Sequence, residues 1–310
     1  MHGSLFTSVE MAPRDPILGM NEQFNADPSP HKVNLGVGVY FNDEGKLPVL
    51  RCVAAAEKLL LETPKARGYL PIDGMAAYDK AVQALVFGTD HPAVTGGRIA
   101  TVQSLGGTGG LKVGADFLKK LNPGATVLIS DPSWENHRAL FTQAGFAVEA
   151  YPYYDAATRG IRFDAMLAAL RGAAAGTVVV LHACCHNPTG CDLSAAQWEQ
   201  VATACKAGLL VPFLDMAYQG FGKGIRADGE ALRIFMTRGM PFFVSTSFSK
   251  SFSLYGERVG ALSAICDTVF MVVTTLHLLR HGEVVETARG HEVEVCLLER
   301  LAAARRRRSR

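Results

Sequence analysis

From about residue 50 onward, short apolar runs alternate with stretches whose apolar residues recur at helical spacing. Thr126-Val127-Leu128-Ile129, Thr177 to His182, Leu209 to Leu214, Phe242 to Ser245 and Val259 to Ser263 are predicted to be short buried strands. Between the strands, Leu111, Gly114, Leu118 and Leu121 form one helical stripe that stops at Asn122-Pro123-Gly124. Ser194 with Gln197 predicts a capping box, and Trp198, Val201, Ala202 and Cys205 then line the apolar face of the helix it opens. Buried strands separated by amphipathic helices predict the α/β class: a three-layer α/β/α arrangement around a mostly parallel sheet. Ligands of such sheets sit at the carboxyl ends of the strands. That rule selects Asp131 to His137, Asn187, Asp215 to Tyr218 and Ser247 to Lys250.

The first fifteen residues, with Pro16 just beyond Pro13, predict an extended arm. Asn25 to Pro30 reads as a polar turn. Asn34-Leu35-Gly36-Val37-Gly38-Val39-Tyr40 is an apolar run whose glycines permit close backbone approach.

Composition narrows the class of function. With 310 residues, 48% of them hydrophobic, the chain can bury one large core or two ordinary ones. Lys plus Arg (31) nearly balances Asp plus Glu (29), so no global field draws it to nucleic acid or to an acidic membrane. No apolar run reaches the roughly 18 residues of a membrane span, and Met-His-Gly-Ser-Leu-Phe has no export pattern, so a cytoplasmic enzyme of small molecules is expected. Seven cysteines, with Cys184 and Cys185 adjacent, predict reduced and mostly buried thiols rather than a disulfide framework.

Four segments carry candidate chemistry. Gly106-Gly107-Thr108-Gly109-Gly110 runs into a helix, where free amides and the positive dipole end suit a phosphate; a flexible turn is the alternative. Lys250, in Ser247-Phe248-Ser249-Lys250-Ser251-Phe252-Ser253, follows a strand, where partial desolvation favours the neutral, nucleophilic amine over a solvated surface lysine. Arg258, in Tyr255-Gly256-Glu257-Arg258-Val259-Gly260, offers a bidentate phosphate contact. Asp215 ends a strand and could hold a pyridine nitrogen protonated, cap a helix or ligate Mg²⁺. In His182-Ala183-Cys184-Cys185-His186-Asn187-Pro188-Thr189-Gly190, period-two alternation puts His182, Cys184 and His186 on one face, the pattern of a zinc site. No second Cys/His cluster supports zinc, and Asn-Pro-Thr-Gly reads as a rigid turn presenting the Asn187 amide to a ligand, so no metal is expected.

Taken in order over about residues 5 to 263, these segments resemble the class I, fold-type I pyridoxal phosphate aminotransferases of the aspartate and aromatic amino-acid branch. The resemblance implies pyridoxal 5'-phosphate as cofactor and Lys250 as its anchor, whose freed amine moves the proton between substrate Cα and cofactor C4′. It further implies that Asp215 pairs with the pyridine nitrogen, that Asn187 and Tyr218 bond the phenolic oxygen, and that Trp134 stacks on the ring, with His137 and His182 nearby. Gly107, Thr108, Ser247 and Arg258 match the phosphate cup. Tyr69, in Gly68-Tyr69-Leu70-Pro71-Ile72-Asp73-Gly74, matches a tyrosine that reaches the phosphate of a neighbouring subunit, which implies a homodimer. Gly38, Trp134 and Asn187 match substrate contacts. The implied reaction is ping-pong transamination between an L-amino acid, aromatic or aspartate, and a 2-oxo acid such as 2-oxoglutarate. The stretches 113–119 and 131–137 look closer to the bacterial aromatic branch.

The implied organisation is an arm over 1–15, the first part of an incomplete small domain over 16–45, a cofactor-binding large domain over 46–263, and a divergent tail over 264–310. In that tail the family's carboxylate-gripping arginines and its Asn-Tyr-x-x-Pro-Pro stretch are not found. A shifted reading frame or a rearrangement is the origin expected for it, and a truncated, catalytically impaired or inactive homologue that at most binds the cofactor is the rival reading. Leu278 to Glu283 resembles the Arg-His-Gly motif of histidine phosphatases by coincidence, and Arg305-Arg306-Arg307-Arg308-Ser309-Arg310 reads as a solvated basic tail.

Overall fold

The computed structural model of the chain describes residues 16–33, 38–66, 68–269, 271–272 and 275–276. The expected arm over 1–15, the run 34–37 and the motifs beyond residue 276 lie outside the described residues. The chain divides into two compact units, Met1–Ala54 and Ala55–Arg310. The first holds α1 (Pro16–Ala26), which begins on a proline as first turns tolerate, so Pro16 opens a helix rather than extending an arm. Asn25 belongs to that helix, and the polar turn begins after it. α2 (Arg51–Glu62) spans the division and buries none of its residues.

The second unit continues with α3 (Ala76–Phe87), α4 (Pro92–Thr95), β1 (Ile99–Leu105), α5 (Gly106–Leu121), β2 (Thr126–Asp131), α6 (Glu135–Gln143) and β3 (Ala147–Pro152). A small ribbon of β4 (Tyr154–Asp155) and β5 (Gly160–Ile161) leads to α7 (Phe163–Gly172), β6 (Val178–His182), α8 (Ala195–Ala207) and β7 (Val211–Met216). The chain then forms α9 (Ile225–Asp228), α10 (Glu230–Thr237), β8 (Phe242–Ser247) and β9 (Val259–Ile265).

Seven strands form one sheet in the order β1-β9-β8-β7-β6-β2-β3. The run from β3 through β2, β6 and β7 to β8 is parallel, whereas β9 is antiparallel to both neighbours. Period-two alternation explains the two cores. On β6, Val179 and Leu181 join Met166, Leu170, Trp198, Val201 and Phe235 of α7, α8 and α10, while Val178 and Val180 face the other way toward Leu111, Leu118 and Phe141 of α5 and α6. The sheet is therefore covered on both faces, the expected three-layer α/β/α fold.

Local signals account for several boundaries. Ser194 Oγ accepts from the Gln197 amide at 3.3 Å and Gln197 Oε1 accepts from the Ser194 amide at 2.9 Å, which completes the predicted capping box. Two boundaries differ from the sequence pattern. α5 starts at Gly106, so the glycine run is its first turn, and Leu121 of the expected stripe is exposed. Leu209 lies in a turn with φ 52° and is exposed, so the strand begins at Val211: hydrophobicity alone had drawn Leu209 into it.

Candidate active site

The site is built on the sheet edge where the parallel strands end. His182, Asp215 and Ser245 are neighbours in register across β6, β7 and β8, so their side chains leave the same face side by side. Because β9 runs backwards, its first residues arrive at this same edge. Arg258 is thereby placed against the start of α5, where its carbonyl accepts from the Gly106 amide at 2.8 Å.

One half of the site is a cup around the first turn of α5. The α5 N-terminus has no side-chain cap, so the amides that follow Gly106 in its first turn are open to an anion. Ser245 Oγ donates to the Gly107 carbonyl at 2.7 Å and clamps that turn to the sheet. A Cβ at Gly106 would come within 2.6 Å of Arg258 Nη2, and one at Gly107 within 2.9 Å of Ser247 Cβ, so only glycine admits this approach. Arg258 Nη1 donates to Ser249 Oγ at 3.1 Å and to the Tyr255 carbonyl at 3.0 Å, which aims the guanidinium from a strained φ of 54°. Amides, hydroxyls and a guanidinium form the donor set that a phosphate dianion requires. A groove of about 550 Å³ between α5 and α6 opens beside the cup and shares Thr108 and Arg258 with it; it holds neither Asp215 nor Lys250 and flanks the site.

The other half surrounds Lys250, whose ammonium lies 5.0 Å from the centre of the Tyr218 ring. Burial lowers the Lys250 pKa below the ordinary lysine range, Asp215 opposes that shift, and Arg258 adds to it. Tyr218 is pushed up by burial and by Asp215, and its hydroxyl accepts from Asn187 Nδ2 at 3.5 Å. Asp215 is buried, and its Oδ2 pairs with His137 Nε2 at 2.9 Å. Ser133 Oγ holds the far nitrogen of His137 at 2.9 Å, and Trp134 stands edge-on to the His137 ring at 5.4 Å. The separate requirements of pyridoxal phosphate, a desolvated amine, a buried carboxylate for the ring nitrogen and an anion cup, are thus met by residues that lie together.

A family model, Aminotransferase class I and II, matches residues 30–297, which is most of the chain and runs past Ser263. The chain belongs to this aminotransferase family. It is 62% identical over 265 residues to an aspartate aminotransferase of Pseudomonas aeruginosa, covering 86% of this chain and 67% of that protein. It is 51% identical to the aromatic-amino-acid aminotransferase of Escherichia coli, covering 85% of this chain and 66% of the relative. The chain thus spans about two thirds of the length of these curated relatives. Among solved structures, an aromatic-amino-acid aminotransferase from Burkholderia pseudomallei, covalently bound to pyridoxal phosphate, superposes with a TM-score of 0.88 at 64% identity. That match covers 90% of this chain and 70% of the other.

Of the residues selected from sequence, Gly107, Thr108, Ser247 and Arg258 gather at the cup, while Tyr218 links Lys250 to Asn187 and His137 links Asp215 to Trp134. Tyr69 is fully exposed. Gly38 lies in the other compact unit, exposed, with no atom within 4 Å of a Cβ built on it. The one-face arrangement of His182, Cys184 and His186 does not hold. Cys184 turns toward Met216, while the His182 ring lies tilted between His137 at 4.9 Å and His186 at 4.2 Å. The strand ends at His182, and alternation stops with it.

Sequence reasoning gave no role to four residues of this site, although Ser249 lies in the selected stretch Ser247 to Lys250. Ser245 and Ser249 secure the cup, and Asp192 accepts the amides of Cys185 at 2.7 Å and His186 at 2.8 Å, fixing the loop that presents Asn187. Tyr153 stacks on His186 at 4.0 Å. The spacing of serines at 245, 247 and 249 is a signal for the first two. None existed for Asp192 or Tyr153, whose partners are set by tertiary packing.

The buried histidine cluster makes stability depend on pH. Burial and the neighbouring His137 lower the His186 pKa from 6.5 to about 4, and burial with His137 and His186 lowers His182 well below 6.5. Both ring nitrogens of His182 are buried without a partner. The unfolded chain therefore binds more protons than the folded one once the pH falls below about 6.5. The contribution of these groups is fully present above that pH and declines as pH falls toward 4. Urea midpoints measured from pH 7.5 to 4.5 should drop over this range in the native chain, and less so in His186→Gln.

Proposed function

We propose that this chain is a pyridoxal phosphate-dependent aminotransferase that exchanges an amino group between an L-amino acid, aspartate or an aromatic one, and a 2-oxo acid such as 2-oxoglutarate, by a ping-pong route. The observation that carries the reading is the partly desolvated Lys250 amine beside Asp215 and Tyr218, next to a glycine-lined anion cup. The names of the relatives support the reaction and its substrate range, and the cofactor named for the Burkholderia structure supports the choice of cofactor.

Pyridoxal phosphate supplies an aldehyde that takes up the amino group and a ring that stores the electron pair released at the substrate Cα. The chain's own residues do the rest. Lys250 anchors the cofactor and, once free, takes and returns the proton at the substrate Cα; its lowered pKa is suited to that role. Asp215 holds the proton on the pyridine nitrogen, and the buried His137 bond keeps the carboxylate oriented. Asn187 and Tyr218 orient the phenolic oxygen, and Trp134 covers the ring. Gly107, Thr108, Ser247 and Arg258 bind the phosphate. Gly38, Trp134 and Asn187 contact substrate.

The same reading includes a homodimer in which Tyr69 completes the partner's cup. Tyr69, Leu70, Ile72 and Met75 are exposed, as are Leu59, Leu60 and Leu61 of α2, which is apolar surface that a second copy would cover. It also includes an arm over 1–15, small-domain residues over 16–45, a cofactor-binding domain over 46–263, a distinct tail over 264–310, and a cytoplasmic setting. Among the described residues, no helix is long and apolar enough to cross a membrane.

The test is to incubate the purified chain with pyridoxal phosphate, reduce it with borohydride, map the modified peptide, and assay transfer from aspartate and tyrosine to 2-oxoglutarate. Modification at Lys250 with turnover is expected. Modification without turnover would leave a binding protein only, and no modification would refute the cofactor reading as well.

A further inference from the structure

Cys184 and Cys185 directly follow the Ala183 that leaves β6, and the transfer reaction gives them no role. They are free thiols, Cys184 buried and Cys185 half-buried. The Cys184 and Cys185 sulfurs and an oxygen of Asp228 all lie within 4.8 Å of one another. Cys184 Sγ also meets Met216 Sδ at 3.6 Å, at the fully buried end of β7. Cys184 Sγ is therefore flanked by the Met216 sulfur on one side and, within 4.8 Å, by the Cys185 sulfur, and the half-buried Cys185 gives the group a path to solvent.

The donor chemistry selects the ligand. Metal–sulfur bonds of about 2.3 Å place the sulfurs around one ion roughly 4 Å apart. The Cys184–Met216 separation of 3.6 Å and the Cys184–Cys185 separation, within 4.8 Å, are compatible with that spacing. Two thiols and a thioether are soft donors, which select soft ions over hard ones. The one nearby carboxylate is largely committed, because Asp228 accepts the amides of Gly220 at 2.7 Å, Gly222 at 3.0 Å and Lys223 at 2.7 Å. It holds the 220–223 turn in place and leaves little for an oxygen-seeking cation. The Cys185 backbone is itself fixed, at φ 50° with its amide on Asp192, so the thiol pair is held in position before any ion arrives.

We propose that Cys184, Cys185 and Met216 form a binding site for a single copper(I) ion. On binding, two S–H bonds break and two S–Cu bonds form, both protons pass to water, the Met216 thioether adds a neutral third bond, and copper remains monovalent. No oxidant or reductant is consumed.

The test uses the full chain saturated with pyridoxal phosphate, titrated anaerobically with copper(I) against the chromogenic chelator bicinchoninate. One equivalent should bind, with sulfur-to-copper charge-transfer absorption in the ultraviolet. Cys185→Ser should weaken binding by about 100-fold and Met216→Leu by about 10-fold, while Cys52→Ser and Cys266→Ser leave it unchanged. Cys185→Ser and Met216→Leu nearly conserve volume, so they carry the test if Cys184→Ala does not fold. Equal affinity in native and Cys185→Ser protein, or no copper taken from the chelator, would overturn the site.

Discussion

Replacing Lys250 with alanine is expected to lower amino transfer by about 10²–10⁴-fold, the range ascribed to a positioned acid–base group. By the relation of about 1.4 kcal/mol per tenfold, that is roughly 3–6 kcal/mol of barrier. The reason is local: Lys250 is a partly buried amine whose pKa burial lowers, next to the buried Asp215. Lys250→Arg should restore nothing, since a guanidinium stays protonated and cannot accept the Cα proton. Steady-state kcat/KM for aspartate and tyrosine is the measurement, together with retention of borohydride-fixed cofactor after gel filtration. An alanine variant within threefold of the native rate would remove Lys250 from the reaction.

The second large effect concerns stability and arises where no side chain is present at all. A Cβ on Gly260 would lie 2.3 Å from the Gly106 carbonyl carbon, 2.6 Å from its oxygen and 2.7 Å from its Cα. These are backbone atoms and cannot rotate aside, so Gly260→Ala must push β9 away from the β1–α5 junction. The Gly260 carbonyl also accepts from Tyr78 Oη at 2.8 Å, which resists that shift. The expected loss is about 2–4 kcal/mol, toward the upper end of overpacking costs. Gly38→Ala, with open space around it, should change stability by less than about 0.5 kcal/mol. Urea unfolding of the two variants decides the matter: equal midpoints would show that the close approach is not rigid. The Gly260 variant should also lose affinity for inorganic phosphate, because the cup is built on the same junction.

Much of this was legible because periodicity reports burial. The runs over β2, β6, β8 and β9 are apolar on both faces, and the Ser194 box is a local signal that needs no tertiary partner. Strand ends were harder, since Leu209 is apolar yet sits exposed in a left-handed turn that sequence cannot distinguish from a strand start. The thiol pair was equally ambiguous: alternation grouped Cys184 with His182 and His186, whereas the chain leaves the strand and turns it toward Met216.

By itself the sequence determined the layer order, the strand-end positions of Asp215, Ser247 and Lys250, and the glycine-rich start of α5, because each depends on local period or local backbone freedom. Only the tertiary structure decided which of those ends meet. The reversed direction of β9 brings Arg258 to Gly106, and the register of β6, β7 and β8 lines up His182, Asp215 and Ser245. Strand direction and register are set by packing between residues far apart in the chain, and no window of sequence contains that information.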